Sequence, residues 1–327
     1  MKTGKLPADV LTRLLLDVHT DSRVIVGPTY GEDAAAVRFG GSVLVAATDP
    51  ITFATDRIGK YAVDVNANDV AVAGAIPRHF LAVILLPQGS SESEAEVIFH
   101  DIEKACRAID VTLIGGHTEI TAAVNQAVVS GCMLGECAKN SLVSTRGARV
   151  GDAIVLARPI AIEGTAILAN EPVLDVDPTT IENAARLLDE PGISVLPYAR
   201  AAVEIGGVTA MHDPTEGGLA MALREVASAS GKGMRIRREA IPILDECRVI
   251  CEALKIDPLG LIASGSLLIT ADPKSADSIL AGLCGQGIEA ALIGEMGEAQ
   301  DGVLFDDGSE LPVFERDEIA KYFDRSA

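Results

Sequence analysis

The sequence predicts an α+β protein in two halves of similar size, the N-terminal one an α/β domain. Three observations carry this. Short apolar runs alternate with segments of helical length along the whole chain. A polar, turn-rich stretch from Ser144 to Asp152 (STRGARVGD) interrupts it near the middle and opens onto a new apolar run. The 327 residues also exceed one minimal domain, since domains hold about 100–200 residues each. The boundary falls after residue 148, giving domains 1–148 and 149–327.

The elements follow in order. Leu11, Leu14, Leu15 and Val18 have helical spacing. Asp9 and Arg13 break their apolar stretch, which a signal peptide would not tolerate. Residues 42–48 (SVLVAAT) read as a strand ending at Asp49, and 58–75 as a helix closed by Gly74, Ala75 and Pro77. Residues 79–86 form a strand bounded by Pro87. Residues 90–109 form a helix that Ser90 can cap, with Glu92, Glu94 and Glu96 favouring its N-terminal end. A strand at 111–114 stops at Gly115-Gly116, and another spans 126–136. In the second half, helices are predicted at 162–170, 179–189, 194–205, 216–230 and 275–284. Strands are predicted at 153–157, 208–211, 233–236, 266–270 and 290–295. Asp307-Gly308 within 303–314 predicts a hairpin.

With 27 basic and 47 acidic residues the formal charge is −20. A nucleic-acid binder or an anionic-membrane binder needs the opposite sign, so both classes are excluded. No apolar run approaches a membrane span. The six cysteines form no Cys-x-x-Cys pair and no zinc spacing. Most lie in apolar stretches and read as small buried hydrophobes, as in a cytoplasmic protein with reduced thiols. Cys247 and Cys251, at i,i+4, are expected neighbours.

Five clusters could carry chemistry. Gly31-Glu32-Asp33 reads either as a solvated turn or as hard-cation ligands. Thr48-Asp49-Pro50 ends a strand, where carboxylates commonly face ligand crevices; an Asx-turn is the other reading. Asn66-Ala67-Asn68-Asp69 sits inside an otherwise Ala- and Val-rich helix. Polar Asx residues are unfavourable there, and the broken rule points to a site; an exposed helix face is the other reading. Gly115-Gly116-His117-Thr118-Glu119 lets backbone N–H groups approach a phosphate at a strand end, or is simply a Gly-rich turn. His212-Asp213-Pro214-Thr215-Glu216-Gly217-Gly218 fits a helix start with Asp213 at the N-cap and Glu216 at N3. The same geometry can hold an anion. Carboxylates without paired His or Cys point to Mg²⁺, with substrate phosphates completing its shell.

These five clusters, in this order, resemble the AIR synthase-related (PurM-like) superfamily over nearly the whole chain. The densest stretch runs from Ile58-Gly59-Lys60 through Asn68-Asp69 to Ile76-Pro77. Ala161-Ile162-Glu163-Gly164-Thr165-Ala166 and Asp213-Pro214-Thr215 with Gly217-Gly218-Leu219 look most like the HypE-type hydrogenase maturation branch. The resemblance implies a PurM-like two-domain architecture, with N-terminal strands forming a barrel across a homodimer. It implies ATP and Mg²⁺ as cofactors. Asp33, Asp49, Asp69 and Asp213 would be metal ligands, Asp213 approaching from the second domain. Thr48, Asn68, Gly115, Gly116, Thr118, Glu119, Gly217 and Gly218 would bind the nucleotide. Asp69, Asp213 and His117 are the candidate catalytic residues.

Three departures stand out. His117 replaces the acid that relatives carry after the glycine turn. The sequence ends Tyr322-Phe323-Asp324-Arg325-Ser326-Ala327 with its last cysteine at Cys284, so the branch's terminal-cysteine chemistry is not expected in its usual form. A glycine-rich N-terminal segment is also missing, leaving Lys2, Lys5 and Arg13 as nearby basic candidates. The implied function is ATP- and Mg-dependent activation or phosphorylation of a small-molecule substrate, with a maturation-protein partner. A kinase like thiamine-monophosphate kinase and a non-catalytic nucleotide-binding accessory protein are the alternatives.

Overall fold

The computed structural model describes residues 5–16, 18–52, 56–171 and 175–326; Lys2 lies outside them. In chain order the elements begin with α1 (Ala8–Leu15), β1 (Val24–Val26), β2 (Ala35–Phe39), β3 (Ser42–Ala47) and β4 (Pro50–Ile51). Next come α2 (Ile58–Val72), β5 (Ile76–Pro87), α3 (Glu92–Ala108), β6 (Thr112–Thr121) and β7 (Val128–Cys137). The second half holds β8 (Ala153–Ala157), α4 (Ile162–Leu168), α5 (Pro178–Arg186), α6 (Leu196–Ile205), β9 (Val208–His212) and α7 (Gly218–Ser230). It continues with β10 (Gly233–Ile236), α8 (Asp245–Leu254), β11 (Leu267–Ala271), α9 (Pro273–Gly285), β12 (Ala290–Gly297), β13 (Val303–Phe305) and α10 (Glu318–Ser326).

The chain divides into two units. The N-terminal unit is Thr20–Gly27 with Asp33–Leu142. The C-terminal unit is Val143–Ala327, joined by Pro28–Glu32 and the described residues up to His19. The division thus falls at Leu142/Val143, earlier than the line drawn in the sequence. A physical reason is Glu32: its carboxylate accepts from the Ser144 hydroxyl (2.6 Å), the Thr145 N–H (3.2 Å) and Arg146 Nε (2.8 Å), tying 143–148 into the C-terminal unit.

The N-terminal unit is one sheet in the order β1-β2-β3-β7-β5-β6, with β4 also on β7. β5 and β6 are parallel, joined through α3; the other pairings are antiparallel. Strand alternation sets the core. Val43, Val45 and Ala47 of β3 and Val129 and Met133 of β7 point to one side and are buried with α2. α3 is capped by Ser91, one residue after the predicted Ser90, because Ser91 and Glu94 form a reciprocal capping box. The strand at 111–114 does not stop at the glycines. It runs on to Thr121 because β5 offers a parallel partner as far as Pro87.

The C-terminal unit is a second sheet, β13-β10-β12-β8-β11-β9. β8 and β11 are buried along their whole length, as sheet centres covered on both faces are. The predicted hairpin is reduced. β13 pairs parallel to β10, and the Asp307-Gly308 turn closes only on an isolated Leu304–Glu310 bridge. α8 and α10 were not predicted. α8 carries Cys247 and Cys251, whose sulfurs are 3.8 Å apart and buried as free thiols.

Candidate active site

The N-terminal unit gathers its acids at one end of the sheet. Ala35 of β2 pairs with Ala46 of β3, so Asp33, just before β2, and Thr48-Asp49, just after β3, leave the sheet at the same end. α2 closes this end from within. It is buried at every residue from Tyr61 to Val72, including Asp64, Asn66, Asn68 and Asp69. Asn66 is fully buried and clamps the backbone of Asp49. Its Oδ1 accepts the Asp49 N–H at 2.8 Å, and its Nδ2 donates to the Asp49 carbonyl at 3.1 Å and to the Ala62 carbonyl at 2.8 Å. Thr48 Oγ1 donates to the Gly131 carbonyl at 2.7 Å, and the Gly131 N–H donates back to Asp49 at 3.0 Å. The peptide that presents the Asp49 carboxylate is therefore held on all its polar atoms. Asp69 follows Asn66 by three residues and shares its helix face. Five residues before Asp69, Asp64 is paired with Lys60, and burial pushes its carboxyl above the usual range.

The second predicted cluster of this unit lies elsewhere on the sheet. Gly131 of β7 pairs with Ala82 of β5, which pairs with Gly116 of β6. Gly116 and Asp49 thus share one transverse row but stand three strand spacings apart, about 14 Å. Within one chain, Gly115 through Glu119 do not join the Thr48, Asp49, Asn68 and Asp69 group. Gly116 is required where it stands. Its φ is 155°, and a Cβ there would lie 1.9 Å from the Ala82 carbonyl oxygen. β6 is the edge strand, and all of Ile114–Ile120 is exposed. His117 Nε2 lies 3.1 Å from Glu119 Oε2, so the two form a solvent-facing dyad. Thr118 lies between them on the opposite face.

In the C-terminal unit, Asp213 directly follows β9 and is buried. His212 before it is also buried, its Nε2 at 2.9 Å from Glu225 Oε2. Burial and the Glu225 charge push the Tyr30 hydroxyl up to about 12. Asp213 is not a helix N-cap. α7 starts only at Gly218, because Gly217 (φ 82°) and Gly218 (φ 63°) are left-handed. The Gly217 N–H donates to Asp317 Oδ2 at 2.6 Å, and the Gly218 N–H to the Thr215 carbonyl at 3.0 Å. The anion at this helix start is the protein's own Asp317, which the sequence reading missed; its partner lies 100 residues away. A Cβ on Gly218 would strike the Leu259 and Leu261 carbonyls at 2.5 and 2.7 Å.

Family comparison agrees with this architecture. The AIR synthase related protein N-terminal domain matches residues 31–137, and the corresponding C-terminal domain matches 149–307. The chain belongs to the AIR synthase related family. It is 34% identical over 279 residues to the carbamoyl dehydratase HypE of Cupriavidus necator, covering 81% of this chain and 77% of that protein. It is 30% identical over 310 residues to the putative hydrogenase expression/formation protein MJ0676 of Methanocaldococcus jannaschii, covering 91% and 90%. Among solved structures, the hydrogenase maturation protein HypE in complex with ATP aligns with a TM-score of 0.73 at 24% identity, over 95% of this chain and 91% of that one. A HypE–HypF complex aligns at 0.71 and 22%, over 85% and 92%. ThiL complexed with AMPPCP and TMP aligns at 0.71 and 21%, over 88% and 91%. These structural likenesses show the two-domain PurM-like fold. No helix among the described residues is long and apolar enough to cross a membrane.

Proposed function

We propose that the chain binds Mg-ATP and uses it to activate an oxygen of a small substrate, in the manner of the HypE carbamoyl dehydratases it resembles. The observation that carries this reading is the Asp49 peptide clamped by Asn66 beside Asp33, with Asp69 on the same helix face as Asn66. A buried amide held on all sides to aim one carboxylate is costly to build for a solvated turn. The donors are oxygen only, which fits Mg²⁺ rather than zinc. Asp33, Asp49 and Asp69 would hold the metal, and Asp213 is the carboxylate proposed for the C-terminal unit. Thr48, bonded to the Gly131 carbonyl, and the buried Asn68 would support them. Bound Mg²⁺ supplies neutralisation of phosphate charge.

The HypE structure with ATP and the ThiL structure with AMPPCP support the nucleotide. The ThiL likeness keeps a small-molecule kinase as the second reading. Gly217 and Gly218 are withdrawn from the nucleotide site in this conformation, because their N–H groups are already taken.

The exposed β6 edge supports a homodimer. A second copy laid against it would cover Ile114 and Ile120 and seat Gly115, Gly116, His117, Thr118 and Glu119 against protein, with His117–Glu119 as its acid–base pair. The HypE–HypF complex supports a maturation protein as a further partner. Calorimetric titration with ATP, in Mg²⁺ and then in EDTA, tests the core of the proposal. Saturable Mg-dependent binding is expected; no binding in either condition would sink it.

A further inference from the structure

The C-terminal unit holds a cavity that the ATP-dependent reading does not use. Its volume is about 220 Å³, below the range of about 300–1,000 Å³ that suits drug-sized ligands. Its whole lining falls between residues 238 and 259, inside one unit.

Two 3₁₀ turns and a helix build it. β10 ends at Ile236, and the turn Arg238–Ala240 carries the chain to Ile241. α8 supplies Arg248, and the turn Pro258–Gly260 follows it. The apolar part of the lining is Ile241, Ile243, Pro258 and Leu259, of which Ile241 and Leu259 are buried. This part is stiff. Asp257 Oδ1 accepts the Leu259 N–H at 2.9 Å, and the Leu259 carbonyl abuts Gly218, where a Cβ would lie 2.5 Å from it.

The rest of the lining is charged. Arg238, Glu239, Arg248 and Asp257 bring two cations and two anions to the same small space. None of the four is in an ion pair among the described residues. Arg238 is nevertheless held. Its guanidinium carbon lies 3.7 Å from the centroid of the fully buried Phe305 ring. Stacking fixes the plane of the fork and leaves its N–H edges for a carboxylate. A lone anion in this cavity would meet two acids, and a lone cation would meet two arginines. A ligand carrying both charges satisfies both signs at once.

We propose that this cavity binds a free aliphatic α-amino acid. The carboxylate lies on Arg238 and Arg248, the ammonium on Glu239 and Asp257, and the side chain against Ile241, Ile243 and Leu259. The small volume, the paired signs and the apolar walls each select for that class of ligand. The site needs neither nucleotide nor metal.

The test uses the full chain without ATP or Mg²⁺. Leucine, isoleucine and valine are added up to about 10 mM, and thermal unfolding is followed. At least one should raise the midpoint saturably, and calorimetry then gives its affinity. The N-acetyl form of that amino acid lacks the ammonium, and its amide lacks the carboxylate. Each should bind at least about 10-fold more weakly. Arg248 and Glu239 are exposed and unpaired. Arg248→Gln and Glu239→Gln should therefore keep the urea midpoint of wild type and each weaken the amino acid about 10-fold.

No saturable shift with any of the three overturns the proposal. So does an N-acetyl form or an amide that binds as tightly as its parent, which would make the cavity an anion or a cation site. Unchanged affinity in the Gln variants places the amino acid elsewhere and overturns it as well; should one variant misfold, the other decides. Because no nucleotide is present, failure here leaves the ATP-dependent reading untouched.

Discussion

α2 and β6 belong to one unit and one sheet system, and both carry predicted site residues, yet their environments are opposite. α2 buries Asp64, Asn66, Asn68 and Asp69 among alanines and valines. β6 leaves Gly115 through Glu119 in solvent at the sheet edge. The difference teaches how a site can be divided. Polar groups inside a core must be fully partnered and therefore cannot move, so α2 fixes geometry. Polar groups on an edge strand keep their capacity for a new partner, so β6 is suited to meeting one.

The largest effect that would sharpen this contrast is Asn66→Ala. It strips the Asp49 N–H of its acceptor and opens a cavity beside Gly131. A stability loss of about 2–4 kcal/mol is expected, read as a lower urea midpoint. A loss under about 0.5 kcal/mol would show that the clamp is not what holds the sheet end.

Asp69→Asn comes next. It preserves shape, turns one acceptor oxygen into a donor, and removes a charge from the proposed metal site. Mg-ATP affinity should fall about 100-fold, or ~2.7 kcal/mol, at an unchanged urea midpoint. If the variant instead unfolds while the folded fraction binds normally, the polar cluster of α2 is structural and the metal assignment fails.

Much of this was legible in the sequence. The Ala/Val-rich flanks of Asn66 and Asp69 favour a buried helix over an exposed polar face, and the helix is buried. β8 was read to its ends from five consecutive apolar residues. β6 was cut short because a Gly-Gly pair reads as a stop, and only its register with β5 reveals that Gly116 is needed for close strand approach. The role of Asn66 as a clamp, the His212–Glu225 pair and the Asp317 anchor on Gly217 were hidden for a different reason. Each joins residues distant in the chain, and no local propensity records such a contact.

The two glycines of β6 separate packing from backbone strain. Gly116→Ala drives a Cβ into the Ala82 carbonyl and should cost about 2–3 kcal/mol or unzip β6 from β5. Gly115→Ala meets open space and should cost only the conformational strain of φ 157°, about 1–2 kcal/mol. Amide exchange on β6 distinguishes the two, with protection lost in the first and largely kept in the second. Equal loss in both would mean that strain rather than the Ala82 contact dictates the glycines.

The smallest effect in the isolated chain belongs to Ile120→Lys, and it is the one that tests β6 as a meeting surface. Ile120 is 61% exposed, so the substitution should change the stability of a single chain by less than about 0.5 kcal/mol. If a second copy covers this strand, a lysine on each side places unpaired charge in an apolar seam, where it is poorly tolerated. Sedimentation at equal concentration should then show wild type as a dimer and the variant as a monomer, both with the same urea midpoint at low concentration. A dimer that survives the substitution would place the contact elsewhere. His117 and Glu119 would then face solvent as an exposed pair on the edge strand, separated from β3 and its Asp49 by β5 and β7.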